Sequence, residues 1–510
     1  MNKIYDISYN NIFTRYLTAA RFIKQGELIL KEKPLLVASH RGSRNFCLKC
    51  CSYIKTDTYD ICKLCNLAML CRTDCKGKFH SNSECMELKK LNLKPTFLVE
   101  HQEIITVLRL LLKKKYSEDE WNKINQLESH LEERRNTPIW KSCDSLIVQV
   151  MKEANIISQE DEISDIVQKL CGILDVNTFE LRPPYDPSDL VVQLELQALR
   201  GLYPEAALMA HSCVSNTHLA VDNDFVLYIH SSVDIEEGSP IFCNYANVLD
   251  GNVERNKFLK QGKYFECTCK RCMDPTELNT NLSALKCHNC KKGLIQPQKT
   301  IENRFNWSCT SCKKNYHSSM IETILGLAKD LVFGPGPSNL TKLEELNMKL
   351  LQTLYPRHHL ILELQQILMG FYTQDIPSRK NLMGKIKSCE NVLAVTQILD
   401  IGISRIQGIT LYELHAAKAN LAYMEYSKKE ITTEILLKRL LSAEETLRAA
   451  LEHLLYEPKN SPEGYLAKNA LGYLKKLRES IRNIKEQLIM ENIVATSSSK
   501  KKNRKHLVQK

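Results

Sequence analysis

Long apolar runs are missing from this chain of 510 residues. A stretch such as Val107 to Leu112 is broken by Arg109 and followed by lysines, far short of the ~20 residues a bilayer crossing needs. That predicts a protein without membrane contact. The N-terminus, Met1 to Leu17, is polar and lacks the continuous apolar segment of a secretory leader. The expected setting is therefore a reducing compartment, the cytoplasm and nucleus. Twenty cysteines in such a setting read as metal ligands or buried thiols, which sets disulfides aside. The chain is too long for one core and predicts two to four domains. Its 43% hydrophobic and 25% charged residues are those of an ordinary soluble globular protein.

Charge is unevenly placed within the formal net +11. Residues 251–318 hold thirteen Lys/Arg against five Asp/Glu, and residues 500–510 add six Lys/Arg and no acid. Two basic segments on a near-neutral body are compatible with weak nucleic-acid or acidic-protein contact, and equally with a solvated surface and a loose tail.

The cysteines are clustered. Cys47-x2-Cys50, Cys62-x2-Cys65 and Cys71-x3-Cys75 are followed by His80 and Cys85, eight soft ligands in thirty-nine residues. Two thiolates separated by two residues reach one ion from a tight turn, so each close pair is half of a tetrahedral site. With so little apolar sequence between them, this segment needs metal to fold. Cys51 is a bystander. A second cluster, Cys267-x-Cys269-x2-Cys272, is one ligand short of a tetrahedral zinc. A third, Cys287-x2-Cys290 with Cys309-x2-Cys312, has the spacing of a zinc ribbon. Cys143, Cys171, Cys243 and Cys389 stand alone and read as core residues.

In this order the chain resembles the SMYD family, in which a SET domain is interrupted by a MYND zinc finger, in the form seen in the arthropod SmydA branch. Four further stretches carry the resemblance. Leu17 to Leu30, with Gly26 at a hairpin turn, is similar to the first SET strands. Asp175-Val-Asn-Thr-Phe-Glu180 is similar to the segment lining the cofactor and lysine pockets. Gly201-Leu-Tyr-Pro and His211-Ser-Cys-Val-Ser-Asn216 are similar to the family's GLYP and NHSCxPN stretches. Asn244-Tyr245, Glu254-Arg255 and Cys267 to Cys272 are similar to the tyrosine strand and the post-SET zinc knot.

The resemblance implies an α+β architecture. A SET N-terminal part spans 1–46, the MYND finger 47–85, a helical insertion 86–175, the core SET 176–250, the post-SET 251–275 and the ribbon 285–317. A C-terminal all-α domain follows over 318–491, where Leu340 to Leu354, Ile361 to Tyr372, Tyr412 to Met424 and Ile435 to Leu455 are apolar at helical spacing. Stacked tetratricopeptide-like pairs and a plain bundle both fit that pattern. Residues 492–510 form a disordered basic tail in this reading, a nuclear import signal or a solubilising segment.

By resemblance the ligands are cross-braced. One zinc sits on Cys47, Cys50, Cys71 and Cys75 and a second on Cys62, Cys65, His80 and Cys85. Cys213 joins Cys267, Cys269 and Cys272, and with the ribbon the total is four zinc ions. The implied activity is S-adenosylmethionine-dependent protein-lysine N-methylation, on histone or other proteins, with a role in transcription. Tyr245 and Phe179 would form the catalytic channel. Arg15, Tyr16, Asn177, Ala210, His211, Tyr245 and Phe265 would meet the cofactor. The MYND module would take proline-rich peptides, and the helical domain a chaperone or corepressor partner. Several family positions differ: the Gly-x-Gly loop falls at Thr14-Arg15-Tyr16, the asparagine of NHSC is Ala210, the proline of NHSCxPN is Ser215, and a second channel tyrosine aligns with Lys263. These departures keep open the alternative of a weakly active or inactive SET/MYND scaffold.

Overall fold

The computed structural model describes residues 3–39, 46–54, 59–184, 199–300, 304–334, 339–374 and 377–507, giving the backbone course alone for 491–507. Short antiparallel sheets wrap one core in its N-terminal half. Strands Tyr5–Asn10 and Thr14–Ala19 form a hairpin, and Leu28–Glu32 pairs with Leu227–Ser231, itself paired with Thr217–Val221. A third sheet sets Leu36–Ser39 and Thr178–Leu181 on either side of Leu199–Leu202. Leu17, Ile29, Val37, Leu181, Tyr203, Ile229 and Ile241 fill the space between the sheets. Leu36 faces Leu202 in register although the chain between them runs through the whole cysteine-rich segment and a helical block. Closing so long a loop is entropically expensive, and the excursion is held by its own cores. Ile104, Val107 and Leu110 of the helix Gln102–Tyr116 pack on Leu170, Ile173 and Leu174 of the helix Asp161–Asn177 and on Leu36 of the sheet.

Beyond the SET region, strands Leu285–Lys286, Leu294–Lys299, Phe305–Cys309 and Asn315–Tyr316 make a four-stranded meander. Among the described residues seven helices follow, from Ser318–Phe333 to Pro462–Leu507. Polar caps start several of them: Asn339, Ser378, Ser404 and Thr432 each accept a backbone N–H three residues on. Small residues such as Ala422, Ala443, Ala450 and Ala470 are buried where successive helices meet, which allows close packing. The last helix continues through Leu507, where a disordered tail was expected from 492. No glycine or proline occurs after Gly472, so nothing in the sequence terminates that helix. No helix among the described residues is long and apolar enough to cross a membrane.

A polar latch joins the helical region to the SET sheets. Arg405 grips Glu457 through Nε at 2.8 Å and Nη2 at 2.9 Å, and also donates to the Leu219 carbonyl. Nε2 of His218 lies 3.1 Å from the same carboxylate, which is 1% exposed. Burial opposes the charge on Glu457, but His218 and Arg405 outweigh it and bring its pKa down to about 2. Burial also lowers the neighbouring His453 to about 4. Both shifts act in one direction. Below the ordinary histidine value the unfolded chain takes a proton that His453 refuses. Below about 4.5 it takes another that Glu457 refuses. Stability is thus expected to fall from pH 6.5 downward, with the Glu457 share, roughly 3 kcal/mol, lost between pH 4.5 and 2. Acid also weakens zinc sites, so the check is the difference in urea midpoint between the wild type and Glu457→Gln. That difference should shrink as pH falls through 4.5, and a constant difference would reject the latch.

Candidate metal centres and active site

Four local turns share one backbone conformation and one hydrogen bond. After the second cysteine of four of the five Cys-x2-Cys pairs comes a residue with left-handed backbone: Cys51 (φ 60°), Asn66 (φ 57°), Lys291 (φ 56°) and Lys313 (φ 58°); the fifth pair, Cys269-x2-Cys272, lies instead on the short helix Lys270–Met273. Each of the four left-handed residues donates its N–H to the carbonyl of the first cysteine of the pair, Cys47, Cys62, Cys287 or Cys309. None of the four is glycine, although this conformation favours it, so glycine placement alone would miss the turns. The knuckles aim their sulfurs inward in four tetrads: Cys47, Cys50, Cys71, Cys75; Cys62, Cys65, His80, Cys85; Cys213, Cys267, Cys269, Cys272; and Cys287, Cys290, Cys309, Cys312. Within each tetrad the ligand atoms lie within 4.8 Å of one another. A donor set of fifteen thiols and one imidazole in closed groups of four suits structural zinc. Cys51, Cys143, Cys171, Cys243 and Cys389 lie outside the tetrads and are buried.

The surroundings of the ligands fit metal as well. Nδ1 of His80 meets Glu84 at 2.7 Å while its Nε2 faces Cys65, the carboxylate–histidine arrangement that orients a metal ligand. Glu84 also accepts from Nε of Arg109 at 2.6 Å, and Arg109 reaches the carbonyls of Val37 and Leu48. Burial works against the Glu84 charge, but Arg109 and His80 hold its pKa below the usual carboxylate value. The charged residue that broke the apolar run thus ties the zinc module to the SET sheet.

Around the third tetrad, Arg255 and Arg271 are fully buried with Glu277. Arg255 points Nε at Cys213 Sγ (3.4 Å) and Nη2 at Cys272 Sγ (3.6 Å), and donates from Nη1 to Glu277 at 2.6 Å. Two guanidinium groups against one carboxylate leave a positive charge beside four sulfurs, which matches thiolates around a zinc ion. Arg255→Met keeps volume and removes the charge. It is expected to cost about 3–5 kcal/mol and to release this zinc alone, read as three ions per chain by elemental analysis with a lowered urea midpoint. Four retained ions would show that Arg255 is mere packing.

Cys213 also anchors the candidate active site. The short strands Ala210–His211 and Phe242–Cys243 run parallel and bring His211 beside Tyr245. Nδ1 of His211 accepts the Tyr245 N–H at 3.0 Å, and its Nε2 faces Cys213 Sγ at 3.2 Å. Nδ1 as acceptor places the proton on Nε2, toward the sulfur. Burial lowers the His211 pKa to about 4 and keeps the ring neutral. The ring centroids of His211 and Tyr245 are 5.1 Å apart, those of His211 and Phe265 5.7 Å, and those of Tyr245 and Phe265 6.3 Å. The Tyr245 hydroxyl donates to the Met209 carbonyl at 2.5 Å, and burial holds its pKa well above 10. Phe179 packs against the same core as Tyr245 and meets Tyr203 edge-on at 5.7 Å.

The other sequence-derived positions lie around this cluster. Thr14 has φ 55°, the left-handed backbone that glycine adopts freely, so a β-branched residue holds the turn that the Gly-x-Gly loop would supply. Arg15 donates to Gln126 Oε1 and to its carbonyl, and Tyr16 meets Phe13 edge-on. The Asn177 amide donates to the carbonyls of Glu128 and Ile173. Ala210 is buried and offers only its backbone. Sequence reasoning missed the Met209 carbonyl and the Arg109–Glu84 tie, since neither has a motif.

A family model described as "SET domain" matches residues 14–246. The chain is similar to "SET domain-containing protein SmydA-8, isoform A" of Drosophila melanogaster, 28% identical over 320 residues, covering 62% of this chain and 66% of that protein. It is also similar to "Histone-lysine N-methyltransferase ASHR1" of Arabidopsis thaliana, 24% identical over 51% of this chain and 52% of the relative. "Histone-lysine N-methyltransferase SMYD3" of Mus musculus is 24% identical over 50% of this chain and 58% of the relative. The matches therefore span less than two thirds of each relative's length. The SET domain match is interrupted by a cross-braced pair of tetrads and followed by a four-cysteine knot, and in this order the chain is similar to SMYD proteins, the Drosophila SmydA-8 protein among them.

Proposed function

We propose that this protein is an S-adenosylmethionine-dependent protein-lysine N-methyltransferase acting on histone or non-histone tails in the cytoplasm and nucleus. The observation that carries the reading is Tyr245, a protonated, half-buried tyrosine packed with His211 and Phe265 beside strands braced by the Cys213 tetrad. When bound, the cofactor would supply an electrophilic methyl group on a sulfonium. Half-buried Phe265 fits a role as a stacking surface for the adenine. The backbone of 210–211, fixed by its parallel partner, fits a hydrogen-bonding rim. The Tyr245 ring walls the path of the incoming amine and its hydroxyl orients that group. Burial in this pocket favours a neutral amine, the form that attacks.

A second reading, a weak or silent scaffold, is favoured by one observation: the buried side chain at the asparagine position is Ala210, which neither donates nor accepts. Calorimetry of the full chain with S-adenosylmethionine decides between them. Heat with 1:1 stoichiometry supports the enzyme; no heat at millimolar cofactor leaves the scaffold. For partners, a cavity of about 350 Å³ opens beside the zinc histidine, lined by Leu35, Phe79, Leu112 and Tyr116 with Lys113 and Glu120 among its polar residues, a mixed surface that fits an extended proline-rich peptide. The failure of proline-rich peptides to bind at high concentration would reject that assignment.

A further inference from the structure

A lysine already stands on the face of Tyr245. The helix Asn252–Gly262 ends at Lys263, whose N–H returns to the Leu259 carbonyl. Tyr264 then turns left-handed (φ 60°) and stacks on His130 at 4.9 Å, away from Tyr245. The reversal sends the Lys263 side chain inward. Its Nζ donates to the Val176 carbonyl at 2.5 Å and stands 5.6 Å from the centre of the Tyr245 ring. An aromatic face with a backbone carbonyl opposite is the environment that a lysine-accepting channel offers an ammonium group: the ring quadrupole attracts it and the carbonyl replaces its lost water.

We propose that Lys263 is a resident occupant of the substrate-lysine position, a built-in competitor that an incoming side chain must displace. The proposal rests on the lysine-methyltransferase reading, which places the acceptor channel at Tyr245. Two observations beyond proximity support it. Val176 lies three residues before Phe179, the other aromatic assigned to the channel, so the carbonyl that holds Lys263 belongs to the channel segment itself. Burial also lowers the Lys263 pKa from its ordinary value, as for a side chain withdrawn from solvent. A guest ammonium in the same space would meet both the volume of the Lys263 stem and, while that amine is charged, repulsion at close range. The stem has four rotatable carbons, so displacement needs no backbone change, only the loss of the Val176 bond and the ring contact.

The test uses the full chain without cofactor and n-butylammonium as the probe, a lysine side chain with no peptide attached. Lys263→Met keeps length and removes charge and donor. Lys263→Gln keeps a donor for Val176 in case the methionine variant melts early, and Lys263→Arg keeps the charge. Ligand-observed NMR titration is expected to show at least tenfold tighter binding of the probe to the Met or Gln variant than to the wild type, with no gain for Arg. Equal affinity across all four proteins overturns the proposal. A methyl group found by mass spectrometry on Lys263 itself after incubation with S-adenosylmethionine would support it, since only an amine in the acceptor position meets the transferred group. Calorimetry with the cofactor in parallel keeps the two claims apart. A gain in amine binding without cofactor heat removes the methyltransferase reading and retains the occupant. Cofactor heat without a gain in amine binding removes the occupant alone.

Discussion

Elemental analysis of the full chain purified without chelator is expected to return four zinc ions per molecule, and stripping them should collapse three separate regions. The largest effect falls on residues 47–85. Five of the buried residues of its core are the ligands Cys47, Cys62, Cys65, Cys75 and Cys85, and the segment's own apolar set is small, Leu48, Ile54, Leu67, Ala68, Met69 and Leu70, completed by Leu88, Leu98, Ile105 and Leu108 of the helices that follow. A core of that size cannot offset chain entropy by burial alone, so metal binding, worth on the order of 10 kcal/mol or more per structural zinc, supplies most of its folding free energy. The third tetrad behaves differently because it joins distant segments. Cys213 follows the strand Ala210–His211, whereas Cys267, Cys269 and Cys272 lie beyond the helix Asn252–Gly262. Cys213→Ser is therefore expected to lower the count to three and to loosen the Tyr245 site, while the other tetrads keep their metal. A ratio near two for the wild type would remove the third and fourth sites. An unchanged count and melting temperature for Cys213→Ser would remove the distant ligand.

Metal chemistry was the most legible part of this sequence because thiol spacing is a local signal, and local turns answer it. The cysteine pairs alone specify the knuckles, and the cross-bracing follows from the family order. The strand pairs were less legible. Leu36 finds Leu202 across a large excursion, and nothing in either strand names its partner, since register is set by the shared core of Leu17, Val37 and Tyr203. The same limit applied to the active site. Tyr245, His211 and Phe265 are readable as motif members, but the partners that determine their chemistry come from elsewhere: a carbonyl at Met209, a sulfur at Cys213, a lysine turned inward by the φ of Tyr264. Backbone carbonyls carry no sequence signature. The inward turn of Lys263 depends on a left-handed tyrosine, which propensity would not choose. The helical course over 492–507 has a different cause: basic and serine-rich composition suggests a loose tail, yet no glycine or proline stands there to stop the helix.

Tyr245→Phe is expected to lower methyl transfer at least ~100-fold while leaving cofactor binding nearly unchanged, the magnitude seen when a single preorganised polar group is removed from a transition state. The asymmetry follows from the contacts. The substitution keeps the ring, and with it the packing on His211 and Phe265 that shapes the cofactor side. It removes only the hydroxyl, whose partner is the Met209 carbonyl. Leaving that carbonyl without its donor costs about 1 kcal/mol of stability, too little to explain a hundredfold loss, so equal melting temperatures and unequal rates separate orientation from folding. The pKa of Tyr245 is held well above 10 by burial, so its ionisation lies outside the working range. Any rise of rate with pH then belongs to the substrate amine and should persist, at the lower level, in the phenylalanine variant. Ala210→Asn provides the complementary measurement. It adds a donor and an acceptor where the chain now offers backbone alone, and is expected to tighten S-adenosylmethionine by about 1 kcal/mol, roughly fivefold, with the largest gain in turnover at low cofactor. If calorimetry shows no heat for the wild type or for Ala210→Asn, the side chains of Thr14 and Tyr16, standing where glycines would leave room, close the pocket. The geometry around Tyr245 would then be a scaffold's inheritance, held in place by the Cys213 zinc for structural reasons.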